Sequence, residues 1–426
     1  MTTLVPALVE AEALEGELLS DAQVSQVLFG ALEEAVAGER TLVLVPDRTR
    51  NLPLSRLFPL VFEALHRARS VEVMVALGTH PPLAEAEIHD LVGMTGRTGG
   101  TFSGVANHAW ADPAALAALG LVDEERIRHM AGPVWHASLG GDLLVRVNKR
   151  ALEADRVVIV GPTLPHEVAG FSGGAKYLFP GISGPEMIDK MHWLGALSGV
   201  LATIGYKETP VRALIDEAAS LLPTPVSLVA LVTDSSGEGD RVSAVYAGGL
   251  SEAWEASVAR AGHLHTRWLD HPYERVISCP MPIYDELWTA GKAMYKLEPA
   301  VADGGELVIY APHLSQVSVT HGEGIFRVGY HPLAYFLGQW ERFATEPLAV
   351  LAHSSHVKGA GSYDPATGKE HPRIDVKLAT ALPPEDCRRL NLGYVDPDSL
   401  DLAGLAGEEG TLVVPRSGEV LFRVKG

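Results

Sequence analysis

What most constrains this chain is a succession of short, almost purely apolar runs separated by amphipathic stretches. "TLVLVPD" (41–47), "SVEVMVALG" (70–78), "DRVVIVG" (155–161), "ERVISCP" (274–280), "GELVIYAP" (305–312) and "PLAVLAHSS" (347–355) each read as buried strands. A strand covered on both faces has no polar side to show, so it loses the alternating pattern. Between several of them lie helix-like segments, among them "PLAEAEIHDLVG" and "PVRALIDEAASLL". Strand–helix alternation of this kind predicts an α/β protein with mainly parallel sheets. The length, 426 residues, favours more than one domain. A polar stretch, "GHLHTRWLDHPY" (262–273), precedes a new strand series. It predicts an N-terminal catalytic domain of residues 1–265 and a C-terminal α/β domain of 266–426, with the site in the cleft between them. The closing "TLVVPRSGEVLFRV" reads as a hairpin turning at "RSGE", free to rejoin the N-terminal domain.

Charge and cysteine content narrow the function. With 34 basic and 53 acidic residues the net charge is −19, a sign that opposes nucleic-acid or anionic-membrane partners. Two cysteines, Cys279 and Cys387, cannot form a disulfide framework or a tetrathiolate zinc site. The first residues, "MTTLVPALVEAEALEGELL", lack the basic region of a signal peptide. No apolar run is long enough to span a bilayer. A cytoplasmic protein with a small-molecule substrate is expected, and a homo-oligomer is compatible with it.

In parallel sheets, chemistry gathers on the loops past the carboxyl ends of strands. The polar surprises fall there: "DRTR" after the first run, "GTHPP" after the second, "PTLPHE" after the third. Asp47, Thr49 and Arg50 stand at the first of these ends, where the planar arginine fork suits a carboxylate. The run "PHEVAGFSGGAKYLFPG" (165–181) holds one histidine, several glycines and Lys176, a composition that suggests phosphate. It is not a P-loop. Counting from Gly170, Ala175 stands where the second glycine belongs and Tyr177 where the magnesium-binding hydroxyl should be. Three histidines stand out by context. His108 lies in "ANHAWADP", His166 follows a buried strand, and His192 lies in the helix-like "EMIDKMHW". Lys292 follows a glycine in "LWTAGKAMYK".

Taken together, "VPDRTR", "GTHPP", "NHAW", "PHEVAGFSGGAKYLFPG", "MHW" and "GKAMYK…GGELVIYAP" resemble the nickel-pincer lactate racemase family, in order and spacing, over nearly the whole chain. The resemblance implies a cofactor, Ni(II)-pyridinium-3,5-bisthiocarboxylic acid mononucleotide, attached covalently to Lys176. His192 would complete a square-planar nickel site, a geometry that suits soft and imidazole donors. His108 and His166 would act as the acid/base pair on the two sides of a 2-hydroxy acid. Arg50 and Lys292 would anchor substrate, with Trp288 and Thr289 nearby. Asp47, Thr49, Gly173 and Gly174 would attend the cofactor. Cofactor-biosynthesis enzymes would be partners. The implied chemistry removes the Cα hydrogen as hydride while a base takes the hydroxyl proton; return to the other face of the 2-keto acid inverts the centre.

One departure bears on the substrate. Lactate-active members read approximately Tyr-Gln-Ser before the lysine's glycine partner, whereas this chain has Trp288, Thr289 and Ala290. A less polar wall is expected to favour aliphatic or aromatic 2-hydroxy acids over polyol acids. The other readings are a sugar-acid (polyol acid) epimerase of the same family and a non-catalytic binder of the nickel cofactor. A carrier would need Lys176 and His192 but no acid/base histidines.

Overall fold

The apolar runs pair into two separate sheets. The computed structural model describes residues 5–97, 99–234 and 241–425. The first sheet has seven strands, in spatial order Val9–Glu12, Val242–Gly249, Val226–Thr233, Arg156–Pro162, Arg40–Val45, Ser70–Val75 and Phe102–Asn107. The last five run parallel, Val242–Gly249 joins them antiparallel, and the edge strand Val9–Glu12 is antiparallel to it in turn. The second sheet orders Gly393–Tyr394, Asp375–Thr380, Val301–Ala311, Tyr273–Pro280 and Thr411–Ser417, all parallel. The predicted α/β class with mainly parallel sheets holds.

The strands are what their composition demands. All seven residues of Arg156–Pro162 are buried, as are five of six in Arg40–Val45. Helices and loops cover both faces, and each buried Leu, Val or Ile contributes about 1.5–3 kcal/mol. Arg156 is the exception inside the strand. It is 1% exposed and is neutralised by Glu39 at 2.7 Å.

Topology decides where a site can form. From Arg40–Val45 the chain continues to Ser70–Val75 on one side, and Arg156–Pro162 lies on the other. Strand order reverses between these two, and the crevice beyond their carboxyl ends is the place an open α/β sheet offers a ligand. The second sheet has its own reversal between Tyr273–Pro280 and Thr411–Ser417. The loops beyond the two reversals face each other.

Two expectations fail. "PLAVLAHSS" is not a strand but the start of the helix Leu348–Lys358, whose residues 349–358 are all buried. A helix covered on every side shows no 3.6-residue periodicity, so an apolar run of this length does not tell it from a buried strand. The carboxyl terminus is not a hairpin either. Thr411–Ser417 pairs with Tyr273–Pro280, while Leu421–Val424 pairs with Thr266–Leu269, both in parallel. Gly418, at φ 118°, makes the crossing, and a Cβ there would lie 2.4 Å from the Tyr284 ring. Each short run found a distant partner in place of its neighbour. Among the described residues no helix is long and apolar enough to cross a membrane.

Candidate active site

Two adjoining cavities of about 110 and 90 Å³ lie between the facing loops. Arg50, His80, Lys176, His192 and Trp288 line both. The larger is floored by the turn after Ser70–Val75 and by Ser172, Gly173 and Tyr177. The smaller is closed by His166, Glu167, Lys292, Tyr295, His353 and His356.

A chain of hydrogen bonds sets the first wall. Arg50 donates to Thr49 Oγ1 at 2.7 Å, Thr49 Oγ1 donates to Asp47 Oδ1 at 2.7 Å, and His80 Nδ1 donates to Asp47 Oδ2. Burial pushes the Asp47 carboxyl upward, but His80, Arg50 and Thr49 together hold it well below the usual range. Asp47 therefore stays ionised and fixes the His80 proton on Nδ1. In the tautomer so fixed the lone pair lies on Nε2.

His166 is set the opposite way. It sits in the tight Pro165–His166 and Gly170–Phe171 ladder, and its Nδ1 accepts from Val168 N at 3.1 Å. The neutral ring therefore carries its proton on Nε2. Glu167 Oε2 lies 3.4 Å from the same Nδ1. Burial, then Lys176 and Arg50, lower its pKa well below that of free histidine.

Lys176 emerges from the turn Gly174–Tyr177. Burial and then the Arg50 charge bring its ammonium down to about 7, which makes the free amine accessible near neutral pH. Gly173, at φ 80°, lines the cavity, and a Cβ there would meet Thr163 Oγ1 at 2.9 Å. Gly174 does not line it. A Cβ there would meet the Trp254 ring at 2.7 Å, so that glycine serves packing. Trp254 also holds the loop from behind, donating from Nε1 to Ser172 O at 3.0 Å beneath the Arg212 guanidinium.

His192 projects from the helix Pro185–Ser198. Its Nδ1 donates to Ile188 O at 2.6 Å, which leaves Nε2 without a partner among the described residues. Burial lowers its pKa to about 4. A neutral ring held at Nδ1 by a carbonyl is the arrangement of a metal-ligating histidine. Among the described residues no group of three or more His, Cys, Asp or Glu is arranged to hold a metal ion, so a metal here would have to arrive with ligands of its own.

The second wall comes from the C-terminal sheet. Lys292 Nζ is buried without a hydrogen-bond partner, 4.5 Å above the Tyr284 ring. Burial and then Arg50 push its pKa well below the ordinary lysine value. Trp288 stacks between His321 and His353, with ring centroids 4.2 and 4.1 Å away. His321 Nε2 and Thr79 Oγ1 meet at 3.1 Å across the cleft.

The structure thus brings together Asp47, Arg50, His166, Gly173, Lys176, His192, Trp288, Thr289 and Lys292. It does not bring His108. That ring is 2% exposed, donates from Nε2 to Ser183 O at 2.9 Å and accepts from Asn148 Nδ2 at 3.2 Å. Both nitrogens are used, and it lines neither cavity. His80 occupies the place expected for it. The signal was present in "GTHPP", a histidine just past a strand's carboxyl end. Thr49 orients Asp47 and Arg50 and does not line the cavities. Thr289 Oγ1 is tied to Glu286 O at 3.0 Å, and Ala290 is sealed in the core. The wall's polarity is therefore set by Glu167, His353 and His356. None of these was legible as a site residue, the two histidines because their helix read as a strand.

Residues 2–203 match the lactate racemase N-terminal domain. Over that part, a little under half of its length, the chain is similar to the lactate racemase family. Lactate racemase of Thermoanaerobacterium thermosaccharolyticum is 25% identical over 304 residues, 70% of this chain and 65% of that protein. Lactate racemase of Lactiplantibacillus plantarum is 30% identical over 168 residues, 38% of this chain and 34% of that protein. The chain thus spans less than two thirds of the length of either curated relative. A crystal structure of a protein from Thermotoga maritima superposes with a TM-score of 0.88 at 29% identity, covering 97% of this chain and all of that one. The lactate racemase apoprotein from T. thermosaccharolyticum shares the fold, with a TM-score of 0.72 at 19% identity over 95% of this chain and 93% of that one.

Proposed function

We propose that this protein is a racemase or epimerase of a 2-hydroxy acid, working with a nickel-pincer nucleotide attached through Lys176. The observation that carries the reading is the convergence of Arg50, His80, His166, Lys176 and His192 on one pair of adjoining cavities. When bound, the group supplies a hydride acceptor and a nickel centre. Fit is supported by the amine of Lys176 near neutrality and by the Nε2 of His192, which has no partner among the described residues.

The remaining work falls to this chain's own side chains. Arg50, held by Thr49, offers its fork to the substrate carboxylate. His80, with Nδ1–H bound to Asp47, takes the hydroxyl proton on Nε2. His166 begins with the proton on Nε2. Because Nδ1 is engaged by Val168 N, the ring presents that Nε2–H as a proton donor to the other side of the substrate. A base on one side and a proton donor on the other are what inversion of a single centre requires.

The test is coexpression with cofactor-making enzymes, followed by intact mass, nickel content and racemisation assays. The holoprotein is expected to carry a mass increment that is absent from Lys176→Ala. His192→Ala should keep the increment and lose nickel. An increment that survives Lys176→Ala would overturn the attachment, and with it the reading.

A further inference from the structure

The smaller cavity contains polar groups that the proposed chemistry does not use. His356 is 5% exposed and lines this cavity. Its Nε2 is sealed from solvent and makes no hydrogen bond, the backbone carbonyl of Gly195 being the partner of the ring. Lys292 Nζ, on the same cavity, is also buried and unpartnered. Buried polar atoms are almost always paired in folded proteins. Two unpaired ones on one small cavity indicate that a ligand completes them. The cavity also holds the Glu167 carboxylate, to which the Tyr295 hydroxyl is bound.

We propose that this cavity, formed by His356, Glu167 and Lys292, is a subsite for a hydroxyl group on the substrate's carbon chain beyond C2. The substrate class is then the polyhydroxy 2-hydroxy acids. The inference rests on the racemase reading and reverses the preference expected from Trp288, Thr289 and Ala290.

Three chemistries can be weighed against this cavity. An alkyl chain would satisfy neither His356 nor Lys292 and would leave both atoms buried and unpaired. A second carboxylate would stand beside Glu167 and has no hydrogen to give His356 Nε2. A hydroxyl meets every demand. With the ring's N–H given to the Gly195 carbonyl, His356 Nε2 is an acceptor, so the hydroxyl donates to it and accepts from Lys292 Nζ, while Glu167 keeps the Tyr295 hydroxyl. The flat face of Trp288, fixed between His321 and His353, gives the carbon chain a surface to lie on. The C1 carboxylate remains with Arg50, which lines both cavities.

The experiment compares gluconate, glycerate, 2-hydroxybutyrate and malate on the holoenzyme, by turnover and by calorimetric titration. Wild type is expected to rank the hydroxylated acids first in kcat/KM. His356→Leu should lower the ratio of gluconate or glycerate to 2-hydroxybutyrate by about tenfold or more. His356→Gln, which restores a donor and an acceptor, should recover most of that ratio. A wild-type ranking led by 2-hydroxybutyrate or malate would overturn the subsite while the racemase reading stands, and so would a ratio unchanged in a folded His356→Leu. If no acid is turned over, the racemase reading falls, and the titration still decides the subsite. Gluconate binding no tighter than 2-hydroxybutyrate would refute it.

Discussion

The two walls of the site are built on opposite principles. On the N-terminal side the polar groups come with partners: Arg50 with Thr49, Thr49 and His80 with Asp47, His192 with the Ile188 carbonyl. On the C-terminal side Lys292 Nζ and His356 Nε2 are buried with none. Groups fixed before the substrate arrives set the geometry of the chemistry, and such preorganisation acts on any substrate's transition state. Groups left open are completed by the ligand itself and discriminate among ligands. Substitutions on the first wall should therefore change the rate for all substrates alike. Substitutions on the second should change which substrate is preferred.

The largest expected effect separates two histidines that look alike in sequence. His80→Ala should reduce racemisation by roughly 10²–10⁴-fold, the range of a general base, and by a similar factor for every 2-hydroxy acid tested. His108→Ala should leave the rate of the correctly folded enzyme nearly intact. It orphans the Ser183 carbonyl and the Asn148 amide, so its loss is one of stability, about 1–3 kcal/mol. Steady-state kinetics and thermal melting on both variants read the two outcomes. A rate collapse in His108→Ala with normal melting would return that histidine to the chemistry.

The same contrast explains what the sequence disclosed. Runs such as those ending in Val45 and Pro162 were legible because full burial on both faces leaves only apolar residues. Their carboxyl-end loops were legible for the same reason, since polar residues directly after such a run stand out. That located Asp47, Arg50, His166 and Lys176. His108 drew attention through its Asp-Pro loop, although only tertiary contacts reveal that Ser183 and Asn148 consume both its nitrogens. His353 and His356 stayed hidden because the helix that carries them has no exposed face to give it a period. Leu421–Val424 looked like a hairpin partner because local turn residues say nothing about a strand more than 150 residues away.

A middle-sized effect tests whether the first wall is held ready at the expense of stability. In the apoprotein the Lys176 ammonium falls from 10.5 to about 7, chiefly through burial and then Arg50. Below pH 7 the folded and unfolded chains both carry the proton, and folding must desolvate it. Between pH 7 and 10.5 the unfolded chain binds the proton and the folded chain does not, so this group's contribution grows more favourable as pH rises. Lys176→Met should therefore stabilise the apoprotein at pH 6, on the order of 2 kcal/mol or more. The advantage should shrink steadily toward pH 10. Denaturant titrations across that range check it, and an advantage independent of pH would mean that Lys176 is not strained by its charge.

The smallest effect compares one tryptophan from each wall. Trp254 supports the glycine turn through its Nε1–H bond to Ser172 O and through the ring that meets Gly174 and Arg212. Phenylalanine keeps a ring for Arg212 but loses the bond, which costs about 1 kcal/mol. Trp254→Phe should lower the melting temperature slightly without altering the order of substrates. Trp288 is held by ring stacking between His321 and His353, which phenylalanine can partly reproduce. Trp288→Phe should then cost little stability while shifting the ratio of hydroxylated to alkyl substrates, because the surface under the carbon chain narrows. Melting curves and the kcat/KM ratio, measured together on both variants, give four numbers. If Trp254→Phe moved the substrate ratio as much as Trp288→Phe did, the fixed wall would also be selecting substrates, and the division between the two walls would fail.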